Sequence, residues 1–230
     1  MSEKAPLLEL KKVSKSFISG GKPLTILNEL DLTIYIGETV AITGPSGSGK
    51  STLLGLLAGL DTLSAGEIFL EGTPIHNWNE DQRAAWRRTQ VGFVFQDFRL
   101  VPSFTAIENI SLPLEILGTD AQEAEQKAKD FLDKLGLSER GHHYPHQLSG
   151  GEQQRVAIGR AYAHQPKLIF ADEPTGNLDP KTSEQVLKSL MTMNENTHTT
   201  LALVTHDMEL AETMERHVSL KNGRIEQRKS

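Results

Sequence analysis

The chain has 230 residues, 37% of them hydrophobic and 23% charged, with a formal net charge of −6 and no cysteine; that length carries one domain or two intimately packed ones, and we expect a single compact unit. The acidic balance works against a broad nucleic-acid footprint, which normally shows as a strongly basic domain. No apolar run approaches the roughly 18–20 residues of a membrane-spanning helix, and the start "MSEKAPLLELKK" has no apolar core of signal-peptide length, so the expected compartment is the cytoplasm.

Up to about Ile75 the chain reads as short strands, with "LLELKKV", "LTILNELDLTIYI", "TVAITG" and "GEIFLEG" alternating or running apolar between Gly, Pro and Asn breaks. The glycine-rich "GPSGSGKST" interrupts them and leads into "STLLGLLAGL", a helix. From "NEDQRAAWRRTQ" through "AQEAEQKAKDFLDKLGL" apolar residues mostly recur at helical spacing, broken by the strand-like "VGFVFQ". This predicts a helical subdomain inserted into a sheet domain. A second glycine-rich start follows in "LSGGEQQRVAI". The end returns to buried strands, "KLIFAD" and "TLALVT", around the helical "KTSEQVLKSLMTMNE", and closes with a hairpin turning at Asn222-Gly223. Strand, helix and strand in that order imply a parallel sheet with right-handed crossovers.

The segment "GPSGSGKS" matches G-x-x-x-x-G-K-S, with a strand before it and a helix after it. Gly44, Gly47 and Gly49 let the backbone curl so that successive N–H groups of the loop, in which Pro45, Ser46 and Ser48 alternate with them, face a phosphate. The helix N-terminus adds its partial positive charge. Lys50 is expected to reach the β- and γ-phosphates, Ser51 to bind Mg²⁺ and Thr52 to add a contact near the α-phosphate. The alternative is a glycine-rich turn that merely starts a helix. A second Mg²⁺ ligand belongs on a buried strand, and "LIFADE" supplies Asp172 there. Side-chain alternation would then turn Glu173 toward another part of the site, where a carboxylate can orient and deprotonate water. By itself an acid after a strand is as consistent with a helix cap.

With these residues in place the chain resembles the ATP-binding subunit of ABC transporters over nearly its whole length. The segment "LSGGEQQ" resembles that family's signature motif, and the other elements stand in the family's order. Gln96 in "FVFQD" resembles the Q-loop glutamine, Asp179 in "GNLD" the D-loop and His206 in "LVTHD" the switch histidine; Phe17 in "VSKSF" falls where the family stacks an aromatic on adenine. The segments "FRLVPSFTAIENISLPLEI", "YPHQLSGGEQQRVAIGRA" and "FADEPTGNLD" are most similar to the ATPases of lipoprotein release and macrolide export.

The resemblance implies an α/β P-loop NTPase of ABC type: a mostly parallel core sheet, an antiparallel β subdomain and an inserted helical subdomain. One ABC ATPase domain would span 1–230, with the core and β subdomain in 1–95 and 160–230 and the helical subdomain in about 97–158. ATP and Mg²⁺ are the implied cofactors, with Ser51, Asp172 and Gln96 on the metal and Glu173, His206 and Lys50 in catalysis. The implied partners are a second copy, giving a homodimer, and an integral membrane permease on a separate chain, with no nucleic acid. The protein would then sit peripherally on the cytoplasmic face of the inner membrane, and the surface around Phe98 to Ile107 would receive the permease.

The second glycine-rich start has two readings. Ser149 is a good N-cap and Glu152 three residues on completes a capping-box pattern, so the helix is explained without any ligand. The pair Gly150-Gly151 goes further, because it allows close backbone approach to an anion. In the family the signature of one subunit resembles a lid on the ATP of the other, and a head-to-tail dimer with two shared sites is expected here. His142, His143 and His146 fit no zinc spacing. Trp86, Arg87 and Arg88 lie in a basic helical stretch that reads as a solvated face. An ABC importer ATPase and a non-transport ABC ATPase remain as alternatives.

Overall fold

In a computed structural model, residues 4–226 are described, and the chain divides into two compact units, Met1–Arg87 with Thr200–Ser230 and Arg88–Thr199. In chain order the elements are β1 (Pro6–Ser19), β2 (Lys22–Tyr35), β3 (Thr39–Thr43), α1 (Lys50–Leu57), β4 (Ala65–Leu70), β5 (Thr73–Pro74), α2 (Glu80–Gln90), β6 (Val91–Phe95), α3 (Ala106–Ile116), α4 (Ala121–Lys134), α5 (Gly150–Tyr162), β7 (Leu168–Asp172), α6 (Pro180–Thr197), β8 (Thr200–Val204), α7 (Met208–Glu212), β9 (Arg216–Lys221) and β10 (Arg224–Glu226).

The first unit carries two sheets. β2, β1, β4 and β5 form an antiparallel one, whose inward residues, Leu8 and Leu10 on β1 and Leu30, Leu32 and Ile34 on β2 among them, are buried at alternating positions. In the other, β3 runs parallel to β8 on one side and to β9 on the other, and β10 closes it antiparallel to β9. All five residues of β3 and all five of β8 are buried, as strands covered on both faces require. The hairpin expected at Asn222-Gly223 forms: both residues have left-handed φ, 51° and 70°, the pattern that a two-residue turn between right-twisted strands demands.

The basic stretch of α2 is a free face only in part, with Arg88 exposed. Trp86 is buried, edge to face with Trp78 at 6.3 Å. Arg83 and Arg87 both reach Glu80, at 2.8 and 2.5 Å, and Arg87 also donates to the Gly59 carbonyl at 2.5 Å. Those guanidinium groups, Arg87 before Arg83, hold the Glu80 carboxyl below its usual range.

The second unit pairs β6 with β7 in parallel and packs α3, α4, α5 and α6 on one another. The run "VPSFTAIENISLPL", inside the stretch of helical spacing, carries all of α3 but its last two residues. Thr105 caps it in a capping box with Glu108, and Pro113 sits inside it; an internal proline is the usual sign of a helix end, which hides the element in the sequence. Asn109, fully buried, donates to the carbonyls of Val101, Phe104 and Thr105 and accepts from the Val101 N–H at 2.8 Å. One side chain thereby folds the 101–105 segment. Ile107 is core, 6% exposed, so the surface expected to run from Phe98 to Ile107 ends before it.

Candidate functional site

In the first unit the buried strand β3 delivers the chain to Gly44, where a Cβ would run into the Leu220 carbonyl of β9. Gly47 and Gly49 follow with φ of 76° and 101°, values that only glycine takes without strain. Gly49 is also the N-cap of α1 and supplies no side-chain acceptor, so the first-turn N–H groups have no cap. Lys50 folds back, its Nζ donating to the carbonyls of Gly44 at 2.8 Å and Pro45 at 3.2 Å. The Ser48 hydroxyl is buried with no hydrogen-bond partner. A cation over the loop, an uncapped helix start and an orphaned hydroxyl make this loop complete only with an anion of several oxygens. Ser51, on the first turn, is exposed, and Thr52 half-buried.

Two histidines flank the loop's entry. His206, exposed after β8, lines a cavity of about 340 Å³ with Thr43, Gly44, Pro45, Met208, His217 and Ser219. His217 shares a 2.5 Å hydrogen bond with Thr43 Oγ1. The capping of α7 falls to Asp207, which accepts from the N–H groups of Glu209 and Leu210. Phe17 is not in that cavity. It stands near the end of the β1–β2 hairpin, 43% exposed, with the Lys15 ammonium 4.8 Å from its ring centroid.

In the second unit β7 ends at Asp172, and Glu173 leaves the strand with φ of 47°. Its separation from Asp172 therefore comes from a left-handed kink and not from simple strand alternation, and non-glycine residues held there cluster at functional sites. The Glu173 carbonyl accepts from the Gly176 N–H at 3.0 Å, closing a turn that runs on to Asp179. Asp179 caps α6 by accepting from the Thr182 N–H at 3.1 Å, and the hydrogen bonds with Thr182 lower its carboxyl from the ordinary range. Gln96 follows β6, exposed, with its amide 3.0 Å from Asn177 on that same turn.

The second glycine-rich start carries a reciprocal capping box. Ser149 Oγ accepts from the Glu152 N–H, and the Glu152 carboxylate accepts from the Ser149 N–H at 2.8 Å. That backbone bond first, then Arg140 at 2.9 Å, draws the Glu152 carboxyl down to about 2. Gly151 has a local reason for having no side chain: a Cβ would sit on the methyl of Thr182. Gly150 is freer, with Leu178 Cδ2 at 3.1 Å from its Cβ position. Gly151 therefore has a packing reason for carrying no side chain, whatever the pair also contacts.

Two anchors escape a sequence reading. Gln154 is fully buried and donates to the carbonyls of Phe95 at 3.1 Å and Pro174 at 2.6 Å, and Arg160 donates to those of Arg99 and Phe98 at 2.5 and 2.9 Å. Burial lowers the Arg160 pKa. From one helix they fix the residue before Gln96, the residues two and three beyond it, and the residue after Glu173. The available signal was a polar residue on the α5 face that also carries Ile158 and Ala161, both buried.

A phosphate loop between a buried parallel strand and a helix defines a P-loop nucleotide-binding protein. The ABC transporter family profile matches residues 27–176. The chain is 47% identical over 221 residues to the ABC transporter ATP-binding protein YbbA of Escherichia coli (strain K12), covering 96% of this chain and 97% of that one. It is 46% identical to the lipoprotein-releasing system ATP-binding protein LolD of Idiomarina loihiensis, with 94% and 95% covered. Among solved structures, the dimeric post-hydrolysis ATP-binding cassette MJ0796 bound to ADP and Pi superposes with a TM-score of 0.88 at 40% identity, covering 97% of this chain and 98% of that chain.

The chain belongs to the ABC transporter ATP-binding family. It has the ABC ATPase fold, with a mostly parallel sheet, an antiparallel β subdomain and a helical insert, and it is the nucleotide-binding ATPase subunit of a transporter. Among the described residues no helix is long and apolar enough to cross a membrane.

Proposed function

We propose that this subunit works as a homodimer on the cytoplasmic face of the inner membrane, driving a separate permease that extracts or exports a hydrophobic or lipid-like cargo. The observation that carries the nucleotide chemistry is the phosphate loop, with Lys50 folded onto its own loop and the Ser48 hydroxyl unpartnered. The similarity to a lipoprotein-releasing ATPase supports the cargo class, and the dimeric cassette supports the assembly. No nucleic-acid partner is proposed.

ATP binds through Gly44, Pro45, Ser46, Gly47, Ser48, Gly49, Lys50, Ser51 and Thr52, with Phe17 against the adenine. Ser51, Asp172 and Gln96 offer hard oxygen donors of the kind Mg²⁺ selects, and the ion would neutralise phosphate charge there. Glu173 takes the proton of the attacking water, and His206 holds the developing charge near the γ-phosphate. Ser149, Gly150, Gly151 and Asp179 of one protomer close over the nucleotide of its partner, so ATP joins the dimer and hydrolysis releases it. In this reading residues 1–95 and 160–230 are the core and β subdomain, and about 97–158 the helical subdomain that meets the permease.

Replacing Glu173 with Gln removes the base and leaves ground-state binding intact. Turnover should fall by at least ~10²-fold while MgATP drives the variant into a stable dimer. Phosphate release and size-exclusion chromatography with ATP read the two effects, and near-normal turnover would remove Glu173 from this role.

A further inference from the structure

The turn after Glu173 does more than lead to Asp179. Asn177 Nδ2 donates to the backbone carbonyl of Gln96 at 3.1 Å, and Gln96 Nε2 donates to Asn177 Oδ1 at 3.0 Å. These two bonds fix both amides. A carbonyl only accepts, so Asn177 must turn its NH₂ toward the Gln96 backbone, which leaves Oδ1 for the Gln96 side chain. Gln96 must in turn present its own NH₂, and its Oε1 is left outside the pairing. Gly176 makes room for this seat: a Cβ there would lie 2.7 Å from Gln96 Nε2 and 3.1 Å from Cδ.

The turn is itself tied down at both ends, through the Glu173 carbonyl to the Gly176 N–H and through Gln154 to the Pro174 carbonyl. Gln154 also holds Phe95, the residue before Gln96. The seat and the side chain seated in it are therefore referenced to one buried amide.

We propose that Asn177 is a positioning residue for the reaction: it holds the Gln96 amide by its nitrogen so that the Gln96 oxygen is presented to the metal that accompanies the nucleotide. The inference rests on the reading of Gln96 as a metal ligand. An amide side chain alone offers oxygen and nitrogen faces with equal ease, and only one of them binds a hard cation. Asn177 removes that ambiguity before the ion arrives, while taking no part in the chemistry. Both residues are exposed, so the effect is that of a modest hydrogen bond.

The test has two parts. In the ligand-free protein, the side-chain NH₂ resonances of Gln96, assigned by ¹⁵N NMR, should stand apart from those of free glutamines and collapse toward them in Asn177→Ala. In the ATPase assay at saturating ATP, Asn177→Ala should raise the Mg²⁺ concentration for half-maximal rate about three- to tenfold. Gly176→Ala, which displaces Gln96 by contact and leaves Asn177 in place, should raise it similarly. Gln96→Ala should also raise it, and adding Asn177→Ala to that variant should cause no further shift.

A shift in Gln96→Ala with none in Asn177→Ala, or an Asn177 effect that persists undiminished without Gln96, would overturn the positioning role alone. A Gln96→Ala variant with an unchanged Mg²⁺ midpoint would overturn the reading of Gln96 as well. Thermal melts matching the wild type keep either result from being a folding defect.

Discussion

The molecule has two glycine-rich helix starts, and they are built in opposite ways. At the phosphate loop, Gly49 caps α1 without a side chain, Lys50 is turned back onto two carbonyls and the Ser48 hydroxyl is buried alone. At the signature segment, Ser149 and Glu152 cap α5 reciprocally, Arg140 pairs with the carboxylate and the space beside Gly151 is filled by Thr182. The first start lacks partners that a polyphosphate supplies. The second already has a side-chain cap and a paired carboxylate, so an anion there would add to a cap that the chain makes by itself. Sequence similarity between two "G-rich" segments conceals this difference, because it lies in who satisfies the backbone.

The largest effect should come from separating the two starts by mutation. Lys50→Ala removes the cation from the first, and Gly150→Asp places a charge and a side chain on the second; either homodimer should lose nearly all turnover. If the signature serves the partner's nucleotide, a mixed dimer of the two variants carries both defects in one site and neither in the other. Random mixing makes about half the dimers mixed, so about a quarter of wild-type sites return, by symmetry. Phosphate release measures this, at about a quarter of the wild-type rate for the random mixture and about half for mixed dimers isolated with two affinity tags. Activity at the level of the parent variants, together with failure to cross-link Ser46 to Ser149 as cysteines, would sink the shared site.

A smaller effect would show how far packing alone explains the second start. Gly151→Ala forces a methyl against the Thr182 methyl, and overpacking of this kind costs ~1–3 kcal/mol. Thr182→Ser deletes that methyl and keeps the backbone N–H that Asp179 accepts from, so the double variant should recover most of the lost stability in urea unfolding. Recovery of stability and of ATPase activity together would make Gly151 a packing residue. Recovered stability without activity would return it to the nucleotide contact.

Much of the architecture was legible because its signals were local. The strand alternation, the Asn222-Gly223 turn and the Ser149/Glu152 box each depend on residues within a few positions of one another. α3 was obscured by Pro113, since a proline in a helix is tolerated only when the surrounding packing holds that helix, and Ile110 and Leu114 supply such packing from deep in the core. The roles of Gln154 and Arg160 were not legible for a related reason. Their partners are backbone carbonyls 59 to 62 positions away, with Pro174 at 20, and carbonyls carry no sequence identity. The Glu173 kink also had no warning, because left-handed φ at a glutamate is set by what packs around the turn.

The smallest effect concerns the carboxylate that makes the second start self-sufficient. Glu152 ordinarily titrates near 4.5 and is held at about 2 in the fold, chiefly by the Ser149 N–H and also by Arg140. A carboxyl lowered on folding stabilises the protein above its unfolded pKa, and that stabilisation is lost as pH falls toward the folded one. Glu152→Gln retains a neutral capping-box acceptor but loses the charge-assisted share. Arg140 is 46% exposed, and solvent screens that part, so the deficit at neutral pH should be about 1 kcal/mol or less. Glutamine does not titrate, so the gap between wild type and variant should stay constant above about pH 4.5 and close on the way to about 2. Urea unfolding of both proteins at stepped pH reads it directly. A gap still at its full neutral-pH size at pH 3 would mean that the variant loses packing and not charge.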